Sequence, residues 1–97
     1  MQTEMQFELE SYYAVFYCEN WCIGRIINKE NNKLYKVKFL FESVGYFDWP
    51  KEDDIDNVSQ GYIFFRPIKM LGTFPFQISD CDRKEIHYLY KRYKKEG

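Results

Sequence analysis

The sequence predicts a mainly β fold: a small five-stranded barrel with one α-helix packed on it at the C-terminus. Three observations predict it. Apolar residues alternate with period two in short runs over the first two thirds of the chain. Glycine, proline and polar clusters separate those runs, and from Ser79 onward the apolar period changes to three and four residues. At 97 residues the chain makes one domain, with a modest core and too little length for a second.

Residues 1–10 are polar and read as a lead-in, with Phe7 and Leu9 able to alternate into an edge strand. The barrel is expected over 11–67. Tyr12 to Tyr17 forms its first strand and Trp21 to Ile27 its second, joined by Cys18-Glu19-Asn20. Gly24 interrupts the second strand, and a glycine there marks a bulge or a close backbone crossing. The polar turn Lys29-Glu30-Asn31-Asn32-Lys33 leads into a third strand, Leu34 to Phe41, whose Tyr35, Val37, Phe39 and Phe41 make the better interior face. Glu42-Ser43-Val44-Gly45 is the next turn. Tyr46-Phe47-Asp48-Trp49 is a short fourth strand that Pro50 ends, because proline has no N–H for the ladder.

Asp53 to Val58 reads as a polar connection anchored inward by Ile55 and Val58. Tyr62-Ile63-Phe64-Phe65, between Gly61 and Pro67, is the fifth strand. The extension 68–78 contains Gly72 and Pro75 and is expected as a loop with a strand-like part, packing Phe74 and Phe76 on the barrel. The helix spans 79–95. Ser79 or Asp80 caps it, Asp82 and Glu85 sit near its first turn and basic residues crowd its end, all in agreement with the helix dipole. Ile86, Leu89, Tyr90 and Tyr93 form the stripe that docks on the barrel.

Formal net charge is only −1, so a global argument for a polyanionic partner fails while local ones remain open. Glu4, Glu8 and Glu10 make the N-terminus acidic, Glu52-Asp53-Asp54 and Asp56 form an acidic loop, and the helix carries the positive charge. Aromatic residues make up 21% of the chain, more than a barrel this small can bury, so some rings are expected at the surface as binding groups. The three cysteines come without a secretory leader or a long apolar run, which points to free thiols in a reducing, intracellular compartment and to no membrane association.

Ala14-Val15-Phe16, a loop, Trp21-Cys22-Ile23-Gly24-Arg25-Ile26 and then Tyr35-Lys36-Val37-Lys38-Phe39 resemble the core of a Tudor domain, a branch of the SH3-like barrels. The likeness covers about half the chain. Phe47-Asp48-Trp49-Pro50, followed by acidic residues and Ile55, is similar to small Tudor-like modules appended to transposon-derived and chromatin-associated proteins. The resemblance implies a non-enzymatic module in the nucleus that binds a protein segment, such as a methylated histone tail or another methylated peptide. It also implies an aromatic cage, which maps onto Phe16, Trp21 or Cys22, Phe39, and Tyr46 or Phe47, with Glu42 or Asp48 as the nearby carboxylate. Such a cage holds a cation against electron-rich ring faces. This chain departs from the pattern at Cys22, where cage-forming members are aromatic.

Cys18 and Cys22, with Cys81 and His87, are four ligating side chains, but their spacing is poor for a zinc knuckle and no metal or cofactor is expected. A lone His87 far from any nucleophile-like cysteine, carboxylates gathered in one loop and the lack of a glycine-rich phosphate loop argue against an enzyme. The strongest competitor is nucleic-acid binding through Arg83, Lys84, Lys91, Arg92, Lys94 and Lys95, which are interleaved with Tyr88, Tyr90 and Tyr93. A strand edge taking a partner peptide is the third class.

Overall fold

The structure, a computed structural model, describes residues 7–17, 20–64, 66–73 and 75–96. Among the described residues six strands and one α-helix follow in order: β1 Tyr12–Tyr17, β2 Asn20–Asn31, β3 Leu34–Phe39, β4 Phe41–Ser43, β5 Tyr46–Asp48, β6 Ile55–Ser59 and α1 Asp80–Glu96. An antiparallel sheet runs in the order β1-β2-β3-β6, and β4 pairs with β5 in a separate two-stranded sheet. The fold is therefore mainly β with a C-terminal helix. The named strands pair as an open sheet; among the described residues the segment after β6 meets β1 through the Ile63–Val15 bridge and backbone hydrogen bonds from Phe64 and Ile68.

Alternation explains the first three strands and how they pack on both faces. Ala14 and Phe16 of β1, with Trp21 and Ile23 of β2, bury one face beneath Ile86 and Tyr90 of α1. Tyr13, Val15, Ile26, Tyr35, Val37 and Phe39 bury the other, with Val58, Ile63 and Phe7. Phe7 meets Tyr13 and Tyr35 edge to face at 5.2 and 5.3 Å, so the lead-in contributes a core ring rather than an edge strand; Leu9 is exposed in a turn. Burial pushes the Tyr13 phenol above its ordinary pKa.

Gly24 proves to be a close approach and not a bulge. A Cβ on it would lie 2.4 Å from Val37 Cγ1. The register shifts of the β2–β3 ladder fall further on, between Ile26 and Asn28 and between Lys29 and Asn31. The polar turn is also tighter than expected, since β2 runs to Asn31 and the Asn31 side chain accepts the Lys33 N–H at 2.9 Å.

Four expectations are corrected in the middle of the chain. The third strand stops at Phe39; Leu40 is buried in its own right and the backbone restarts as β4, so Phe41 turns outward and is 48% exposed. Ser43 belongs to β4 and the turn is reduced to Val44-Gly45. The polar connection 53–58 contains β6, where Val58 is buried and Ile55 is exposed, while Tyr62 of the expected fifth strand ends a 3-10 turn, Gln60–Tyr62, and Ile63 makes an isolated bridge with Val15. Phe65 and Phe74 lie outside the described residues.

The extension behaves as a loop with strand-like contacts. Phe47 and Phe76 exchange backbone hydrogen bonds at 2.8 and 2.7 Å, and Ile68 and Ile78 are buried. Ser79 is the helix cap: its hydroxyl accepts the Asp82 N–H at 3.0 Å, a contact of a kind worth about 1 kcal/mol. Ile86, Leu89, Tyr90 and Tyr93 pack against the sheet as their spacing predicts. Arg66 ties α1 to the preceding loop by donating to Asp82 at 2.8 Å and to Glu85, and those hydrogen bonds raise its pKa further above the usual guanidinium range.

Candidate functional site

The feature that shapes the site is a ladder that stops. Gly24 pairs with Phe39, and the same register extended would pair Cys22 with Phe41 and Trp21 with Glu42. The last bond is the Leu40 N–H to the Ile23 carbonyl at 2.9 Å. Beyond it the Trp21 N–H turns to its neighbour, the Asn20 Oδ1, at 2.9 Å, and β4 leaves to pair with β5. Between the diverging strands lies a cleft of about 380 Å³. Asn20 to Ile23 of β2 form one wall, Leu40, Phe41 and Glu42 the other, and Phe47 and Asp54 complete it.

Chemically the cleft is aromatic and acidic. Trp21 and Phe47 have ring centroids 6.4 Å apart, and Phe41 is half-exposed beside them. Glu42 stands directly across from Phe47 in the β4–β5 pairing, so the short hairpin presents a carboxylate and a ring together. The Asp54 carbonyl accepts the Phe39 N–H at 2.8 Å, which fixes the backbone of the acidic loop at the rim, and among the described residues no cation pairs with the Asp54 carboxylate.

Helix α1 adds a cation to the same rings. The Arg83 Cζ lies 5.8 Å from the Trp21 ring centroid and 5.6 Å from that of Phe47, and Arg83 Nη1 donates to Glu42 Oε2 at 3.1 Å. His87, one turn along, meets Trp21 edge-on at 5.4 Å. A second, simpler grouping lies nearby: the Lys38 ammonium sits 4.9 Å from the Trp49 ring and 3.6 Å from Asp53.

Of the expected cage residues, the structure brings together Trp21, Phe47 and Glu42. Phe16 does not join them; it packs under α1 against Phe64, Tyr90 and Tyr93. Phe39 lies in the core on the opposite face of the sheet, because its register partner is Gly24 and not a residue of the Trp21 face. Cys22 borders the cleft but packs against that opposite cluster, so Trp21 supplies the ring. Tyr46 is exposed at the hairpin, and the Asp48 carboxylate accepts the Trp49 N–H at 2.8 Å. Phe41 is the site residue that sequence reasoning missed; its one signal is the run Phe39-Leu40-Phe41, where three successive large apolar residues cannot all share one face.

The basic helix is also redrawn. Arg83 is turned inward, whereas Lys84, Lys91, Arg92 and Lys94 remain on exposed residues, with Arg92 over Tyr88 and Lys94 over Tyr90. The side chain of Lys95 lies outside what is described, as does Cys18. Cys22 in β2, Cys81 exposed on α1 and His87 beside Trp21 do not form a metal-binding group, and among the described residues no three ligating side chains converge. No described helix is long and apolar enough to cross a membrane. Comparison with family models, with curated proteins and with solved structures finds no match.

Proposed function

We propose that this chain is a non-enzymatic binding module of the Tudor-like, SH3-like type that takes a cationic side chain of a protein segment into the cleft between β2 and β4. A methylated histone tail or another methylated peptide is the proposed partner, and the nucleus the proposed location. The observation that carries the reading is the lining of the cleft: Trp21, Phe41 and Phe47 with Glu42 and Asp54. Ring faces attract a cation, and a carboxylate at the rim completes its charge balance. Barrel closure is supported by the segment after the 3-10 turn, which runs beside β1: the Phe64 N–H donates to Ala14 at 2.8 Å and the Ile68 N–H to Tyr12 at 2.7 Å.

The test is an NMR titration of the protein with trimethyl-lysine and dimethyl-arginine peptides. Shifts confined to Trp21, Phe41, Glu42 and Phe47 with modified peptides are expected; shifts scattered over the surface, or none, overturn the reading. A second reading, nucleic-acid binding, rests on Lys84, Tyr88, Lys91 and Arg92, which recur at steps of three and four on exposed residues of α1. Under that reading an oligonucleotide binds with a steep salt dependence and the double substitution K91E/R92E abolishes it. Under the first, the same double substitution leaves peptide binding intact.

A further inference from the structure

We infer that the aromatic site is a guanidinium site whose internal ligand is Arg83, so that an external arginine side chain, methylated or not, binds by displacing it. This rests on reading the Trp21–Phe47–Glu42 face as a cation site and deepens that reading by naming the ligand class and its competitor.

A guanidinium is already held by three of the groups that line the cleft, Trp21, Phe47 and Glu42. Both ring centroids are within the roughly 6 Å over which a ring quadrupole attracts a cation, and a carboxylate accepts a hydrogen bond from the same side chain. The Arg83 side chain is only 28% exposed. Guanidinium is planar, weakly hydrated and able to stack flat on rings while its edge bonds a carboxylate; an ammonium is compact and strongly hydrated and loses more on leaving water. The chain itself shows the contrast: Lys38 takes one ring and a carboxylate at 3.6 Å, whereas Arg83 takes two rings and a closer carboxylate.

Release of Arg83 does not require α1 to unfold or leave. Ile86, Leu89, Tyr90 and Tyr93 hold the helix on the sheet, and Arg66 holds Asp82 and Glu85. Arg83 sits near the helix start and can swing away from the rings as a side chain alone. Tethered in this way it competes at an effective concentration on the order of millimolar. An untethered arginine must match that before it occupies the site.

The experiment titrates the intact protein and its Arg83→Ala and Arg83→Gln variants with N-acetyl-arginine amide and N-acetyl-lysine amide, following the Trp21 indole and the Phe47 and Glu42 amides by NMR. The glutamine variant keeps a helix-favouring side chain should alanine weaken α1, and unchanged resonances for Ile26 and Val37 report that each variant is folded. If Arg83 fills the site nine-tenths of the time, the variants bind arginine amide about tenfold more tightly than the parent chain. They also prefer it to lysine amide, and adding Glu42→Gln removes the gain.

Equal binding by parent and variants overturns Arg83 as the internal ligand while leaving the cleft reading standing. A preference for lysine amide overturns the ligand class. No binding of either amide, or of the methylated peptides, by any folded variant removes the cation-site reading and this inference with it.

Discussion

The two faces of the β1-β2-β3-β6 sheet differ in what their burial leaves at the edge. The face of Tyr13, Val15, Ile26, Tyr35, Val37 and Phe39 is built of apolar and aromatic groups. The face of Ala14, Phe16, Trp21 and Ile23 is equally buried under α1, but its margin carries Arg83, Glu42 and the cleft. The difference originates in one place, the break at Leu40, which sends β4 away from β2 and leaves Trp21, paired with Phe16 of β1 on one side, with an opening on the other. One face is thus closed by its register, and the other is opened by the end of that register. Substitutions on the first should change stability alone, and substitutions on the second should change binding more than stability.

The largest effect is expected from Phe39→Ala. Phe39 is 5% exposed in the closed face, and truncating a buried phenylalanine costs about 3–5 kcal/mol. Because domains of this size are stable by only about 5–15 kcal/mol, urea denaturation should show a large fall in midpoint. A stable Phe39→Ala variant that lost ligand binding would instead restore Phe39 to the site and break the comparison. Next comes Gly24→Ala, whose added Cβ would meet Val37 Cγ1 at 2.4 Å and the Lys38 carbonyl oxygen at 3.3 Å. Overpacking of this sort costs about 1–3 kcal/mol. Adding Val37→Ala should recover part of the Gly24→Ala loss, which a backbone effect at Gly24 alone would not allow.

A gain is expected on the open face. Val44 has φ of 51° at the tip of the β4–β5 hairpin and is 93% exposed, so a β-branched residue occupies a left-handed position with no packing in return. Val44→Asn should raise stability by about 1 kcal/mol, since asparagine tolerates that conformation and Asn-Gly favours the two-residue turn. Thermal melts of the two chains decide it, and an unchanged or lower midpoint would mean that Val44 makes a contact worth keeping.

The sequence made the sheet legible where alternation was clean: β1, the starts of β2 and β3 and the stripe of α1 lie where their spacing places them. It misled where parity changes without a turn residue. No glycine, proline or polar residue marks the break at Leu40, so alternation points Phe41 inward, and the family resemblance groups Phe39 with Trp21 across a sheet that separates them. The strand at Ile55–Ser59 is hidden by its polar composition: Val58, across from Tyr35, is its one buried residue, and the exposed Asp56 and Asn57 pair with Val37 and Lys36 at the sheet edge, a pairing that local hydropathy does not report. Half of the site was legible, in Trp21, Glu42 and Phe47. Arg83 was visible only as one more positive charge on a basic helix, because its target lies 41 residues away in sequence at Glu42.

The smallest change in stability belongs to Glu42→Gln, and it is the most informative about the open face. Glu42 and Arg83 are 40% and 28% exposed at their side chains, so water and salt screen the pair and its loss should cost less than about 1 kcal/mol. The same substitution removes the carboxylate that orients any guanidinium on Trp21 and Phe47, so the affinity for an arginine ligand should fall more than stability does. Raising salt to about 1 M, where charges are screened within about 3 Å, should reproduce the substitution's effect on the exposed ion pair and leave the ring contacts in place. Loss of several kcal/mol in Glu42→Gln would instead make the Arg83–Glu42 contact a strut of the fold. The two faces of the sheet would then differ in polarity but not in purpose.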